Sequence, residues 1–310
     1  MRAIRQRAVS LGLAVLCLVL LASNVYWFHT ARSNAGTGSK TYPLLSRRAQ
    51  TNQQTNILIN FVPLRKELQS EFNQLNVQHS FYFEYLPSGT SIKIGADNEL
   101  VAASLIKVPL VMNLYKAVEL GKLRLDQKVT ITASELDDAY GTLYQRGAGT
   151  SITLQQAAQY ALEQSDNTAA HVIYDHVQNL LTDDQQSLAQ LDIDQTIQNG
   201  QAVIDAKSYA SILNSLYLSS YLKPQDSQAI LSDLTLSNAT NRLTAELPKT
   251  LVVAHKIGVY NATWSESDCG IVYVPNRPYI ICVMVGLPDD QANTFIAKVS
   301  KQVYDYVSHQ

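Results

Sequence analysis

The sequence is poor in the residues that build metal sites. Its six histidines include no pair four apart, and three cysteines in 310 residues cannot furnish a zinc constellation. No metal and no cofactor is therefore expected. Charge of one sign is missing too: 24 Lys and Arg stand against 26 Asp and Glu, a net charge of −2. That balance lacks the basic footprint of a nucleic-acid binder. Charged residues make up only 16% and hydrophobic ones 46%, which excludes a mainly disordered chain and supplies a substantial core. No repeat of about 20 to 50 residues is visible, so a solenoid is excluded.

What is present begins with an apolar run. From Val9 to Phe28 (VSLGLAVLCLVLLASNVYWF) no residue is charged. As a helix rising about 1.5 Å per residue, the run matches a bilayer core of roughly 30 Å. Arg2, Arg5 and Arg7 precede it, which keeps residues 1–8 cytoplasmic and sends the rest outward. Tyr26, Trp27 and Phe28 close it as an interfacial belt, where a cleaved signal peptide would show a small-x-small site. A single-pass anchor over 9–28 is the expectation, and secretion after cleavage is the alternative. Residues 29–55 are polar and aperiodic, a flexible spacer, and 56–310 suit one large domain or two lobes sharing a core.

Ile57 to Leu75 has helical spacing, and two alternating runs, 80–86 and 90–95, flank Pro87-Ser88-Gly89 as a hairpin. Near the other end, 251–258, 270–275 and 279–287 read as strands, followed by an amphipathic helix over 290–308. The stretch from 104 to about 235 is almost wholly helical in pattern. The expected fold is α+β and two-lobed: an antiparallel sheet built from both ends of the chain and flanked by the terminal helices, plus an all-helical lobe.

Three short motifs carry candidate chemistry. Ser104-Leu105-Ile106-Lys107 opens an apolar run that ends at Gly121. Serine and lysine three apart share a helix face, and the first turn offers unpaired N–H groups to an oxyanion. A lysine desolvated among Leu105, Ile106, Val108 and Leu110 has a lowered pKa and suits a proton acceptor. The plainer alternative is an N-cap serine and a snorkelling lysine. Ser165-Asp166-Asn167 follows one helical stretch and precedes another; it offers a hydroxyl to relay a proton and an amide to bind substrate, or simply a capping turn. His255-Lys256-Ile257-Gly258 ends a strand, where Lys256 can hold a hydroxyl or an anion and Gly258 lets substrate backbone approach, or where the lysine merely guards an edge.

In that order and context the motifs resemble the penicillin-recognising serine hydrolases, above all class A β-lactamases, with their SxxK, SDN and KTG motifs. The runs SDNTAAHVI and DCGIVYVPNRPYIICVMV are similar to that family's sequence, and the likeness covers about 56–310. It implies that Ser104 attacks a carbonyl to form an acyl-enzyme, with Lys107 in the proton path. It implies that Ser165 and Lys256 pass a proton to the leaving nitrogen and that Asn167 holds the substrate's acylamide. The N–H groups of Ser104 and Val259 would form the oxyanion hole beside Gly258, Tyr140 would stand at the cleft mouth, and Asp166 would brace the turn. The substrate is then a β-lactam or a peptidoglycan peptide, met by a monomeric domain outside the cytoplasm.

Two departures stand out. Residues 187–210 (SLAQLDIDQTIQNGQAVIDAKSYA) contain no glutamate where the family's hydrolytic members carry E-x-x-x-N for the deacylating water. Asp192, Asp194 and Asp205 are the only acids there, and Asp194 is the one conceivable substitute. Without that base, deacylation is expected to be slow. Ile257 replaces a Thr or Ser that helps bind the substrate carboxylate, a loss of about 1.5–3 kcal/mol. These departures leave room for a penicillin-binding D-Ala peptide hydrolase, or for a non-catalytic envelope-binding module on the same fold. Cys269 and Cys282 share a face of the last hairpin; with the turn centred on 275–278 they sit diagonally, Cys269 opposite Met284, and two free buried thiols are expected rather than a disulfide.

Overall fold

The computed structural model describes residues 43–44, 58–95, 98–193 and 196–310. The expected cytoplasmic tail 1–8, the apolar run 9–28, the expected spacer 29–55 apart from Pro43 and Leu44, and Asp194 lie outside these residues. Among the described residues no helix is long and apolar enough to cross a membrane. Residues Pro43–Gln310 form one compact unit.

The chain opens with helix α1 (Val62–Asn73), then strands β1 (His79–Tyr85), β2 (Thr90–Ile94) and β3 (Leu100–Val101). The periodicity that suggested a helix from Ile57 is cut short because Pro63 has no N–H to give and fits only the first turn. A single 3₁₀ turn, Ala103–Ile106, leads into α2 (Lys107–Glu119). Ser104 thus sits in that 3₁₀ turn and not in the first α-helical turn expected of it. Pro109 is the reason. In a helix begun at Ser104 its missing N–H would fall beyond the first four free positions; begun at Lys107, the helix takes it without loss. Gly121 at φ +71° closes the run as expected.

The second lobe is less purely helical than its pattern. Between α2 and the next helix lies a two-stranded ladder, β4 (Lys128–Thr130) with β5 (Ser151–Thr153). Helices α3 (Leu154–Glu163), α4 (Asn167–Val177) and the short α5 (Ser187–Gln190) follow. Strands β6 (Thr196–Gln198) and β7 (Gln201–Ile204) then pair with β3. Helices α6 (Ala206–Leu218) and α7 (Pro224–Thr235) complete the lobe.

The last third returns to the sheet with β8 (Val253–Tyr260), β9 (Ser265–Val272) and β10 (Tyr279–Val285), and ends in α8 (Asp289–Ser308). The five strands run β2-β1-β10-β9-β8, so both ends of the chain build one antiparallel sheet, as expected. One face buries Phe81, Phe83, Ile281 and Val283 against Leu64, Leu68 and Phe72 of α1 and Ile296, Val299 and Val303 of α8. The fold is α+β with two lobes.

Two expectations near the carboxyl end are corrected. Strand β9 begins five residues earlier than its apolar run, because Ser265, Glu266, Ser267 and Asp268 are buried despite their polarity. Arg242, 1% exposed, accounts for much of this: its guanidinium meets Glu266 at 2.5 Å, Asp289 at 2.7 Å and the carbonyls of Ser267 and Gly258. Cys269 and Cys282 form a disulfide, with Cα atoms 4.0 Å apart. The connection is longer than expected, 273–278 in place of 275–278, which shifts β9 along β10 so that Cys282 faces Cys269 directly and not diagonally.

Candidate active site

The site lies where β8, the 3₁₀ turn and the start of α4 converge. Gly258 makes the approach possible. A Cβ there would stand 2.7 Å from the Ala102 carbonyl oxygen, 2.5 Å from Ser267 Oγ and 3.2 Å from Leu105 Cγ, so only glycine lets the strand come this close to the turn that carries Ser104. Ala103, just before Ser104, has φ +46°, and Ser165 has φ +55°. Each of the two turns that present a hydroxyl thus holds one non-glycine residue in the left-handed region.

Asp166 explains how the Ser165 turn is held. Its Oδ2 accepts from the backbone N–H of Thr142 and Leu143, both at 2.7 Å, and its Oδ1 caps α4 through Ala169 N at 2.9 Å. Gly141, at φ +95°, leaves space for that carboxylate, since a Cβ would lie 2.1 Å from Asp166 Oδ2. The carboxylate therefore locks the segment 140–143 to the Ser165 turn. Tyr140 joins through its carbonyl, which accepts from Asn167 N at 3.0 Å, while its residue surface is 39% exposed.

Around this frame five candidates form one hydrogen-bonded network. Lys107 Nζ donates to Ser104 Oγ at 3.0 Å, to Ser165 Oγ at 3.3 Å and to Asn167 Oδ1 at 2.7 Å, and also to the Ser165 carbonyl. From the other side Lys256 Nζ donates to Ser165 Oγ at 2.7 Å. With lysines donating from both sides, the Ser165 hydroxyl hydrogen is left free to point into the cleft. Val259 sits half-buried one residue beyond Gly258 on β8, and no side-chain bond ties it to the cluster.

Burial shapes the electrostatics. Lys107 is 4% exposed, and its desolvation pushes its pKa down to about 8, against the pull of Asp166 and Asp137. Lys256, 1% exposed, is lowered well below the usual lysine range by burial first and then by the charge of Lys107, with Asp268 opposing. Two adjacent ammonium groups disfavour each other, so the site favours at least one neutral amine.

Sequence reasoning missed Asp137. Its Oδ1 accepts from Asn167 Nδ2 at 3.1 Å and so orients the amide whose oxygen faces Lys107. Burial raises its pKa, but the bonds from Asn167 and from Ala139 N, with the charges of His171 and Lys107, bring the net shift below the usual carboxylate range. A lone aspartate in a loop carries no spacing signal that would have found it.

The other flank of Ser104 differs. A cavity of about 20 Å³ lies between the nucleophile turn and the segment 187–204, lined by Leu105, Ile106, Leu188, Ile193, Val203 and Tyr209 among others, and by no acidic side chain among the described residues. Of the three acids named in this stretch, Asp205 caps α6 through Lys207 N and Ser208 N, and Asp192 is exposed. Asp194 lies outside the described residues. Among the described residues no group of His, Cys, Asp and Glu is arranged to hold a metal.

Comparison with known proteins places this geometry. The model of the beta-lactamase enzyme family matches residues 63–307. The chain is 29% identical over 229 residues to the extended-spectrum beta-lactamase PER-1 of Pseudomonas aeruginosa, covering 66% of this chain and 74% of that protein. A beta-lactamase of Bacteroides uniformis is 26% identical over 230 residues, covering 65% and 77%. Among solved structures, that of PBP-A superposes with a TM-score of 0.73 at 25% identity, covering 80% of this chain and 97% of that one. A leucine-to-glutamate variant of PBP-A, solved as an acyl-enzyme complex with penicillin G, superposes at 0.72.

Proposed function

The chain belongs to the beta-lactamase enzyme family as a serine hydrolase, and from that premise we propose that Ser104 forms an acyl-enzyme with β-lactams or related peptidoglycan amides and releases it slowly. The observation that carries this reading is the continuous chain from Ser104 through Lys107 and Ser165 to Lys256. Neutral Lys107 takes the Ser104 proton as Oγ attacks the carbonyl carbon. The carbon–nitrogen bond then breaks, the leaving nitrogen takes the free Ser165 proton, and Lys256 replaces it. The backbone N–H groups of Ser104 and Val259 hold the oxyanion, and Asn167, oriented by Asp137, holds the acylamide.

Slow release rests on the cavity beside Ser104. It has room for one water but offers few of the two to four polar partners that an ordered water needs, so it stays dry. Among the described residues no carboxylate lines it to activate a nucleophile, and Asp194 lies outside them. Ile257 acts on binding instead: lacking a hydroxyl for the substrate carboxylate, it weakens the hold on carboxylate-bearing substrates.

A penicillin-binding D-Ala peptide hydrolase is the second reading, favoured by the similarity to PBP-A at 25% identity. A non-catalytic envelope module is disfavoured by the strained turns and the intact proton chain, which binding alone does not require. Fluorescent penicillin tests the proposal: wild type is labelled and Ser104→Ala is not. Both readings give a long-lived penicillin adduct, so a D-Ala-terminated peptide separates them: release of D-Ala with negligible turnover of a chromogenic cephalosporin marks the peptide hydrolase.

We also propose that residues 9–28 anchor the domain outside the cytoplasm. The uncharged run after three arginines supports this, as does a disulfide, which persists in oxidising compartments. Protease added to intact cells should degrade the domain, and alkaline carbonate should leave the chain in the membrane pellet. Recovery in the soluble fraction would point to a cleaved signal instead.

A further inference from the structure

Behind the strand that carries Lys256 lies a cavity of about 340 Å³, between the end of α7, the segment 236–252 and the start of β8. Strand alternation turns Val253 and His255 toward it and Lys256 away, so it is separate from the active-site cleft. Its polar groups are of one kind. Hydroxyls of Ser237, Thr240 and Thr250, the ammonium of Lys249 and the imidazole of His255 line it, with no acidic side chain.

Thr240, Lys249 and Thr250 stand at the solvent-exposed mouth of the cavity. Among the described residues no hydrogen bond is made by the side chains of Thr240, Lys249 or Thr250, and Thr244 Oγ1 is buried without a partner. His255 is 3% exposed, and its Nδ1 lies 2.9 and 3.1 Å from the two carboxylate oxygens of Asp268. Nε2 is therefore the ring nitrogen left for an occupant. The imidazole has its place because residue 270 is glycine; a Cβ there would lie 2.6 Å from His255 Cβ.

A set of hydroxyl donors with one ammonium, lacking both carboxylates and aromatic faces, suits a small oxyanion better than a neutral sugar or a cation. An occupant that also donates one O–H would satisfy His255 Nε2 when the ring is neutral. Hydrogen phosphate and a phosphate monoester combine these properties. We infer that this cavity is a phosphate-binding site on the reverse face of β8, taking free phosphate or the phosphate monoester of a larger molecule.

The test is calorimetric titration of the full-length chain in detergent micelles with inorganic phosphate and, separately, with glycerol 3-phosphate. Saturable one-site binding is expected for at least one of them. Lys249→Ala and Thr250→Val change exposed side chains and should weaken it by about tenfold or more, with the unfolding temperature and penicillin labelling of Ser104 unchanged. Tighter binding of glycerol 3-phosphate identifies the monoester as the natural source, and tighter binding of phosphate identifies the free ion. Absence of saturable heat with either probe, or binding that both variants leave intact, overturns the inference.

Discussion

On one flank of Ser104 stand Lys107, Ser165, Asn167 and Lys256, joined through side-chain hydrogen bonds and braced by Asp137 and Asp166. On the other flank the segment 187–204 presents Leu188, Ile193 and Val203 to a small apolar void. The first arrangement suits proton transfer; the second offers a water few polar partners. Forming an acyl-enzyme needs a base, a proton donor and an oxyanion hole, whereas breaking it needs an activated water. The difference supports the proposed reading, in which the two half-reactions are equipped separately and this chain is equipped chiefly for the first.

The contrast is broken most severely by removing the amine next to the nucleophile. Lys107→Met should lower the acylation rate by about 10²–10⁴-fold, the usual contribution of a general base, as read by stopped-flow labelling with fluorescent penicillin. The pH profile sharpens the same point. The base is the neutral amine, and burial brings Lys107 down to about 8. Acylation should therefore rise about tenfold per pH unit below that value and level off above it. A flat profile between pH 6 and 9 would remove Lys107 from the role.

The dry flank is tested by giving it an acid. Leu188→Glu places a carboxylate at the lining of the void, and the adduct lifetime should shorten by about tenfold, with the acylation rate within about threefold of wild type. The smallest effect belongs to the rim. Tyr140→Ala removes an exposed aromatic ring worth about 0.5–1.5 kcal/mol, so half-saturation should move by about two- to tenfold while the limiting acylation rate stays put.

Much of this arrangement was legible in the sequence, for reasons that differ by residue. The terminal hairpin and the β10–α8 end follow simple periodicities, and a sheet drawn from both ends followed from where those periodicities fall. Ser104, Lys107, Ser165 and Lys256 were found because each stands in a short motif and because the motifs keep their order. Local pattern could not report long-range compensation. Strand β9 starts among polar residues because Arg242, far away in sequence, supplies the partners that make their burial tolerable. Asp137 was invisible for the same reason: its meaning lies in its hydrogen bond to Asn167, distant in sequence. The cysteine pairing failed on the length of the turn, since a connection over 273–278 in place of 275–278 brings Cys269 and Cys282 face to face.

The central claim is that the adduct forms on Ser104 and persists. Intact-protein mass spectrometry during a chase, after penicillin G is added in slight excess and then removed, tests it most directly. One penicillin mass on the wild type, lasting for hours and absent from Ser104→Ala, is the predicted result. No adduct at any time, an adduct that survives in Ser104→Ala, or rapid return to the free mass with hydrolysed penicillin in solution would contradict it.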